Sequence, residues 1–330
     1  MMKAIVYTQY GPPDVLHLQE VEKPTPNDDQ VLVRVYAVSL NPAEAHMMSG
    51  MLLARIMGGN GLLKPKDPIP GADFAGRVKA VGKNVTRFKP GDEVFGRRGS
   101  SGFAEYVCVS ENPIALKPAN MTFEQAAAVP VAGVTALQSI RDNGKIQAGQ
   151  KVLVNGASGG VGTFSVQIAK AFGADVTGVC STKNLGLVRS LGADRVMDYT
   201  REDFTRSGQE YDLIIDNVGN HLVSDYVRAL KPNGICVGVG FTSIGLLIQN
   251  MLLKPFVSRA GNRKFGSMLA HIKRDDLIVL KEMMEAGKVV PVVDKCYPLS
   301  QVPEAYRYLK TRHAPGKIIV TLENNNDRAQ

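Results

Sequence analysis

The pattern of apolar and polar positions divides the chain into three stretches. In the first third, short runs rich in β-branched and aromatic residues predict strands at 3–8, 31–39, 73–81, 92–96 and 103–109. Turn clusters separate them (Gly11-Pro12-Pro13, Lys89-Pro90-Gly91-Asp92, Asn112-Pro113), which fits a small barrel better than alternating strands and helices. The middle changes period. Strands at 151–155, 175–180, 195–199, 211–217 and 235–240 alternate with helices at 160–172, 183–191 and 221–230, which predicts an α/β, doubly wound parallel sheet. Near-continuous apolar runs such as LIID suit strands buried on both faces. Beyond it, 264–272 reads as one more strand and a helix over 274–286 stops at Gly287. PVVDKCYPL, a helix in PEAYRYLKT and the strand KIIVTL precede a polar tail, 323–330, expected to fray.

Composition narrows the class. A chain of 330 residues suggests two domains or one large one, and 44% apolar with 21% charged residues predicts a packed core. No apolar run approaches the roughly 18–20 residues of a membrane span, and the N-terminus reads as a strand, not a secretory leader. Cys108, Cys180, Cys236 and Cys296 form no C-x-x-C, which argues against a disulfide framework and a four-cysteine zinc lobe and makes a cytoplasmic location the expectation. The net charge of +8 leaves nucleic acid open. Without a long basic run or an aromatic-rich basic platform, a solvated surface with a local anion site explains it better.

The segment VLVNGASGGVG (152–162) lies between a predicted strand and a predicted helix and fits two chemistries. Gly156 to Gly160 reads as G-x-S-x-G, a strained turn that exposes a nucleophilic serine. Ala157 to Gly162 is a near match to G-x-G-x-x-G, which lays a dinucleotide pyrophosphate on a helix N-terminus, with Ala157 replacing the first glycine. The hydrolase pattern has no use for Gly162 and needs an Asp, then a His, downstream. Asp216 and His313 are available, but no HGGG-type oxyanion segment is present. The next strand–helix units follow at the spacing of a mononucleotide-binding half, so Ser158 is expected to contact phosphate. An NAD site places an acid about 20 residues on, at the end of the second strand. That strand here ends Cys180-Ser181-Thr182-Lys183-Asn184, without an acid. Small hydroxyls and a lysine suit a 2′-phosphate, so NADPH is the expected cofactor; the plainer alternative makes Lys183 a solvated residue of a helix's first turn.

GQKVLVNGASGGVGTFSVQIAK (149–170) resembles the signature of the zinc-free quinone oxidoreductase, or ζ-crystallin-like, branch of the medium-chain dehydrogenase/reductase superfamily. The likeness extends through VSLNPAEAHMMSG (38–50), PGADFAGRVKAVG (70–82), KPGDEVFG (89–96) and LGADRVMDY (191–199). HAPGKIIVTL (313–322) is similar to the closing strand of the subgroup of the mitochondrial reticulon-interacting oxidoreductase. The resemblance implies a GroES-like catalytic domain over 1–122, an inserted Rossmann domain over 123–290, and a return to the first over 291–330. It also implies homodimers joined through the Rossmann domain. Zinc-dependent relatives place a Cys in the segment of Ser39–Asn41 and a Gly-His-Glu at Gly71-Ala72-Asp73, and both ligand types are missing, so no metal is expected.

By the same resemblance, Ser158, Gly159, Gly160 and Val161 cradle the pyrophosphate, and Ser181, Lys183 and Tyr199 surround the 2′-phosphate. Asn41 and Thr135 approach the nicotinamide ribose, Asn217 and the backbone of Val239–Phe241 line the nicotinamide end, and His313 and Ala314 close over the cofactor. Asn41 and His46 are the catalytic candidates. His46 stands where several members carry a tyrosine and can donate a proton near neutral pH; it can equally be an ordinary loop histidine, with water as donor. The segment 51–70, rich in Met, Leu and Gly, would border the substrate cleft as an apolar lid, or be a packed surface loop. The implied activity is hydride transfer to a small hydrophobic quinone or α,β-unsaturated carbonyl. An aldehyde or ketone reductase and a non-catalytic NADPH- or RNA-binding protein are the alternatives.

Overall fold

The computed structural model describes residues 1–50, 61, 64–243, 245, 246, 248, 249 and 262–322. Most of the 51–70 segment and the tail 323–330 therefore lie outside the described residues. The chain divides into two compact units, one of Met1–Val131, Ile272–Glu285 and Pro291–Gln330, the other of Ala132–His271 and Ala286–Val290.

The first unit is β-rich. Strand β1 (Met2–Val6) pairs antiparallel with β2 (His17–Val21). Strand β3 (Gln30–Ser39) is the axis of a larger sheet and is buried along most of its length. One of its edges takes β4 (Asp73–Val81), which carries β5 (Glu93–Arg97); at its start β3 also pairs with β6 (Tyr106–Ser110), and β5 pairs with β7 (Ile114–Leu116). Helix α1 (Pro42–Met48) follows β3 directly, with Asn41 at its N-cap and proline at the first position, where the missing N–H costs nothing. The short helix α2 (Phe123–Ala127) starts on a capping box between Thr122 and Gln125, and α3 (Pro130–Gln138) follows.

The second unit is a six-stranded parallel sheet. Its strands are β8 (Lys151–Asn155), β9 (Asp175–Cys180), β10 (Arg195–Asp198), β11 (Tyr211–Asp216), β12 (Leu230–Gly238) and β13 (Lys264–Ser267). They lie in the order β10-β9-β8-β11-β12-β13, so the winding reverses between β8 and β11, where ligands bind in such sheets. Helices α4 (Gly160–Ala171), α5 (Leu185–Ser190) and α6 (Val223–Ala229) connect them. The strand expected over 264–272 stops at Ser267; Leu269 is largely exposed, and the backbone of His271 is bound by the Gln138 side chain instead.

Helix α7 (Arg274–Glu285), expected inside the α/β domain, belongs to the first unit. Met284 O accepts from Asn120 Nδ2 and Glu285 Oε1 from Ala119 N. Helical period marks the element but not the core it joins. For the same reason the boundary expected after residue 122 falls at Val131, because α2 packs against β3 and β4. The chain then runs through β14 (Val293–Pro298), α8 (Val302–Lys310) and β15 (Lys317–Thr321). Strand β15 pairs through Ile319–Thr321 with the last residues of β3, Ala37–Ser39. Phe74, Phe103, Tyr306 and Ile318 form part of that unit's core. The expected architecture of a β-rich unit plus a doubly wound α/β unit is the one found.

Candidate active site

In the second unit, the Gly-rich turn is built as the dinucleotide pattern requires. The chain leaves β8 through Gly156 at φ +75°, a region that favours glycine. A Cβ on Gly162 would overlap Gly156 O and lie 2.8 Å from Ala157 Cα, so α4 rests directly on the strand end. Ala157, in the first-glycine place, is fully buried and donates its N–H to Val179 O at 2.9 Å. That place needs a small residue, which alanine is. The first N–H groups of α4 have no partner within the helix and face the turn as an anion cradle. Ser158 Oγ accepts from Asn184 Nδ2 at 3.0 Å, and the same amide reaches Ser181 Oγ at 3.4 Å. The serine hydroxyl thus meets a donor, not a base, and Asn184, which the sequence did not single out, ties the pyrophosphate turn to the end of β9.

The other candidates of this unit sit at the carboxyl ends of successive strands, with Thr135 buried on α3. Ser181 and Lys183 follow β9, and Tyr199 follows β10 with its N–H on Cys180 O at 3.1 Å. The Tyr199 ring is exposed. Asp198 beside it is fully engaged: Oδ2 accepts from Thr182 Oγ1 at 2.5 Å, and Oδ1 from Thr200 N and Oγ1 at 3.0 and 2.7 Å. These bonds, the Thr182 one first, hold its pKa below the ordinary value. A carboxylate so occupied is not offered to a ribose hydroxyl. After β11, Asn217 Nδ2 donates to Asn155 O at 3.1 Å, while its buried Oδ1 has no partner among the described residues. An orphaned acceptor is what a carboxamide N–H of a nicotinamide would complete. A Cβ on Gly240 would overlap Asn217 O, so the 239–241 backbone, with Val239 and Phe241, runs against Asn217. The residues present fit a dinucleotide. Beneath them, Asp216 accepts from Asn155 Nδ2, Val218 N, Gly219 N and the Tyr226 hydroxyl.

Asn41, His46, His313 and Ala314 belong to the first unit. His313 is exposed and Ala314 partly buried, in the turn before β15. His46 is partly buried in the last turn of α1; desolvation, then the charges of Arg312 and Lys310, lower its pKa, so its ring is neutral at pH 7. Asn41 is buried and its amide is nearly saturated. Nδ2 donates to Glu44 Oε1 and Asp73 Oδ2, both at 3.1 Å, and Oδ1 accepts from Lys317 Nζ at 2.6 Å. With both amide hydrogens engaged, Asn41 can accept from a ribose hydroxyl but cannot donate to a developing oxyanion. Glu44, Asp73 and Lys317 were not among the expected site residues.

These three groups form an ionic cluster around Asn41. Lys317 Nζ also donates to Leu40 O at 2.9 Å. Glu44 accepts from Ala72 N at 3.1 Å and the Tyr306 hydroxyl at 2.9 Å, and Asp73 from Ser39 Oγ at 3.3 Å and Val131 N at 3.1 Å. Desolvation and then the Asp73 charge raise Glu44 to about 7. Asp73 is raised by desolvation against the pull of Lys317, and Lys317 is lowered by desolvation against the pull of both carboxylates. Because folded Glu44 holds its proton up to about pH 7 and the unfolded residue releases it near 4.5, its contribution to stability falls as pH rises through that window. We expect Glu44→Gln to remove that decline. Thermal unfolding of both proteins at pH 5 and 7.5 checks it: the melting-temperature difference, wild type minus variant, is smaller at the higher pH.

Comparison with known proteins follows this geometry. Residues 27–119 match the alcohol dehydrogenase GroES-like domain and residues 191–320 the family described as zinc-binding dehydrogenase. The cluster does not fit zinc, since it offers two carboxylates and an ammonium without a thiolate or an imidazole. The chain is 37% identical to an NADPH-dependent alkenal/one oxidoreductase, chloroplastic, of Arabidopsis thaliana, over 97% of its own length and 79% of the relative's. It is 34% identical to the mitochondrial NAD(P)H oxidoreductase RTN4IP1 of Homo sapiens, over 98% and 89%. The solved quinone oxidoreductase of Coxiella burnetii superposes with a TM-score of 0.85 at 30% identity, over 98% of this chain and 99% of that one. With the Gly-rich turn and the strand-end site in place, the chain belongs to the medium-chain dehydrogenase/reductase superfamily and is an oxidoreductase that uses a nicotinamide cofactor.

Proposed function

We propose that the enzyme uses NADPH to reduce quinones or α,β-unsaturated carbonyls without a metal. The observation that carries the cofactor choice is the end of β9, where Ser181 and Lys183 stand in place of an acid while neighbouring Asp198 is fully engaged. Bound at these strand ends, NADPH supplies the hydride. Ser158, Gly159, Gly160 and Val161 hold the pyrophosphate, Ser181, Lys183 and Tyr199 the 2′-phosphate. Asn217 Oδ1 accepts from the carboxamide, and Thr135, His313 and Ala314 complete the contacts. Asn41 Oδ1 accepts from a ribose hydroxyl, and neutral His46 offers its N–H to the substrate oxygen. A quinone or enone leaves a delocalised anion after hydride addition and needs only modest stabilisation, which suits a site whose ionic cluster does not fit zinc. The relatives named for alkenal/one and quinone substrates support the same class. A homodimer joined through the α/β unit and a reducing, cytoplasmic setting, with Cys108, Cys180 and Cys236 as buried free thiols, belong to this reading. Among the described residues no helix is long and apolar enough to cross a membrane.

Ser181→Ala with Lys183→Ala is expected to weaken NADPH binding about ten- to a hundredfold, the loss of one or two charge-assisted hydrogen bonds, and to leave NADH binding within about twofold. Reduced-nicotinamide fluorescence measures both, since the chain has no tryptophan. Equal losses for the two cofactors refute the 2′-phosphate assignment, and simple aldehydes turning over faster than quinones and enones refute the substrate class.

A further inference from the structure

A lysine buried in the closing strand needs an explanation that packing does not supply. Lys317 is only 4% exposed. The turn before it is fixed: Gly316 sits at φ +89°, a Cβ there would overlap Val292 O, and Lys317 N donates to that same oxygen at 2.9 Å. The side chain therefore runs inward, and Nζ reaches Leu40 O and Asn41 Oδ1. Every charged group around it comes from a different element: Glu44 from α1, Asp73 from β4 and, toward Asp73, Arg97 from β5. Tyr306 of α8 faces Glu44, and Ser39 of β3 faces Asp73.

An asparagine amide is nearly symmetric in shape, so its orientation is decided by what stands at each end. At Asn41 one end meets Glu44 Oε1 and Asp73 Oδ2, both of which accept from Nδ2. The other meets an ammonium, which only donates. We infer that Lys317 is a positioning residue for the cofactor site: its buried ammonium locks the Asn41 amide with Oδ1 outward from the carboxylates, leaving that oxygen's second lone pair for a ribose hydroxyl. The inference rests on the reading of Asn41 as a ribose contact. Glu44 already holds its proton up to about pH 7, so without the ammonium the Asp73 charge is left unbalanced in the enclosure and is pushed toward protonation as well. A protonated carboxyl donates, so it competes for Asn41 Oδ1 and the amide loses its single orientation. Asp73 accepts from Ser39, Asn41 and Val131 through Oδ2, while its buried Oδ1 has no partner among the described residues.

The test uses the full chain labelled with ¹⁵N in asparagine side chains, the Asn41 pair being identified by its loss in Asn41→Ala. In cofactor-free Lys317→Met, exchange of the Asn41 amide hydrogens with water is expected to rise about tenfold or more, the loss of one charge-assisted hydrogen bond. Lys317→Arg is expected to restore most of the protection. The affinity for NADPH falls about tenfold in Lys317→Met, the KM for NADPH rises with it, kcat changes less, and the affinity loss disappears when Asn41→Ala is already present. Should Lys317→Met fail to fold, Asp73→Asn with Lys317→Met removes one charge of each sign and still lacks the ammonium donor. An unchanged exchange rate overturns the inference, as does an affinity loss of equal size with and without Asn41. If Asn41→Ala costs NADPH affinity and Lys317→Met does not, the role given to Lys317 is wrong. If Asn41→Ala itself costs none, the ribose contact was misassigned and the positioning role falls with it.

Discussion

Gly162→Val loses NADPH binding by at least about a hundredfold and lowers stability by about 3 kcal/mol, the upper end for overpacking a filled site. The valine side chain would start inside Gly156 O and against Ala157 Cα, both backbone atoms that cannot swing aside. Helix α4 would have to slide off the end of β8, yet residues 162–169 of that helix are buried without a break. The pyrophosphate cradle would move with it. Fluorescence titration with NADPH and urea unfolding measure the two losses. Gly186→Ala is the matched control: it lies in α5 of the same unit with open space around its missing Cβ, so it should bind as wild type does. Affinity near wild type in Gly162→Val would mean that the glycine does not set the helix against the strand.

Asp216→Ala is the second large effect, about 4 kcal/mol, because one carboxylate satisfies four donors and stranding buried donors costs about 1–3 kcal/mol each with partial relaxation. Tyr226→Phe removes one of the four bonds and should cost about 1–2 kcal/mol. The two differ in function as well. Asn217 follows Asp216 directly and hangs on Asn155 O through both its N–H and its amide, at 3.2 and 3.1 Å. Asp216→Ala removes one of the two acceptors of Asn155 Nδ2, the other being Asn220 Oδ1, and frees the turn at 218–219, so cofactor affinity falls with stability. Tyr226→Phe leaves that turn in place and affinity is retained. Urea midpoints with unchanged m-values, together with NADPH titration, check both statements. Equal effects of the two substitutions on cofactor affinity would remove Asp216 from the support of the site.

How far the chain can be read without its structure depends on whether a signal is local. The β8–turn–α4 unit was legible because steric demands fall on neighbouring residues, from Gly156 to Gly162. Strand β2 was not, since HLQEV is almost wholly exposed and carries no alternation to detect. Strand β7 has only three residues. Helix α2 was not read either: it starts on a capping box of Thr122 and Gln125, but its five residues are too few for a helical period. Lys317 shows the opposite limit. In KIIVTL it resembles a lysine at a strand's solvated start. Only pairing of β15 with β3 brings it to Asn41, 276 positions away, and nothing nearby in the chain marks it as buried. Asn184 stayed hidden because its partners, Ser158 and Ser181, converge only once β8 and β9 are side by side.

The pairing of β15 with the far end of β3 also bears on the order in which the protein is made. Chains generally fold as they emerge, the N-terminal part first. Asn41 is translated long before Lys317, and the sheet that joins them lacks β14 and β15 until the residues from Val293 onward have emerged. The α/β unit includes no residue after Val290. The α/β unit can therefore close on the ribosome before the β-rich unit does, while β3 keeps one edge at Ala37–Ser39 unpaired until β15 emerges.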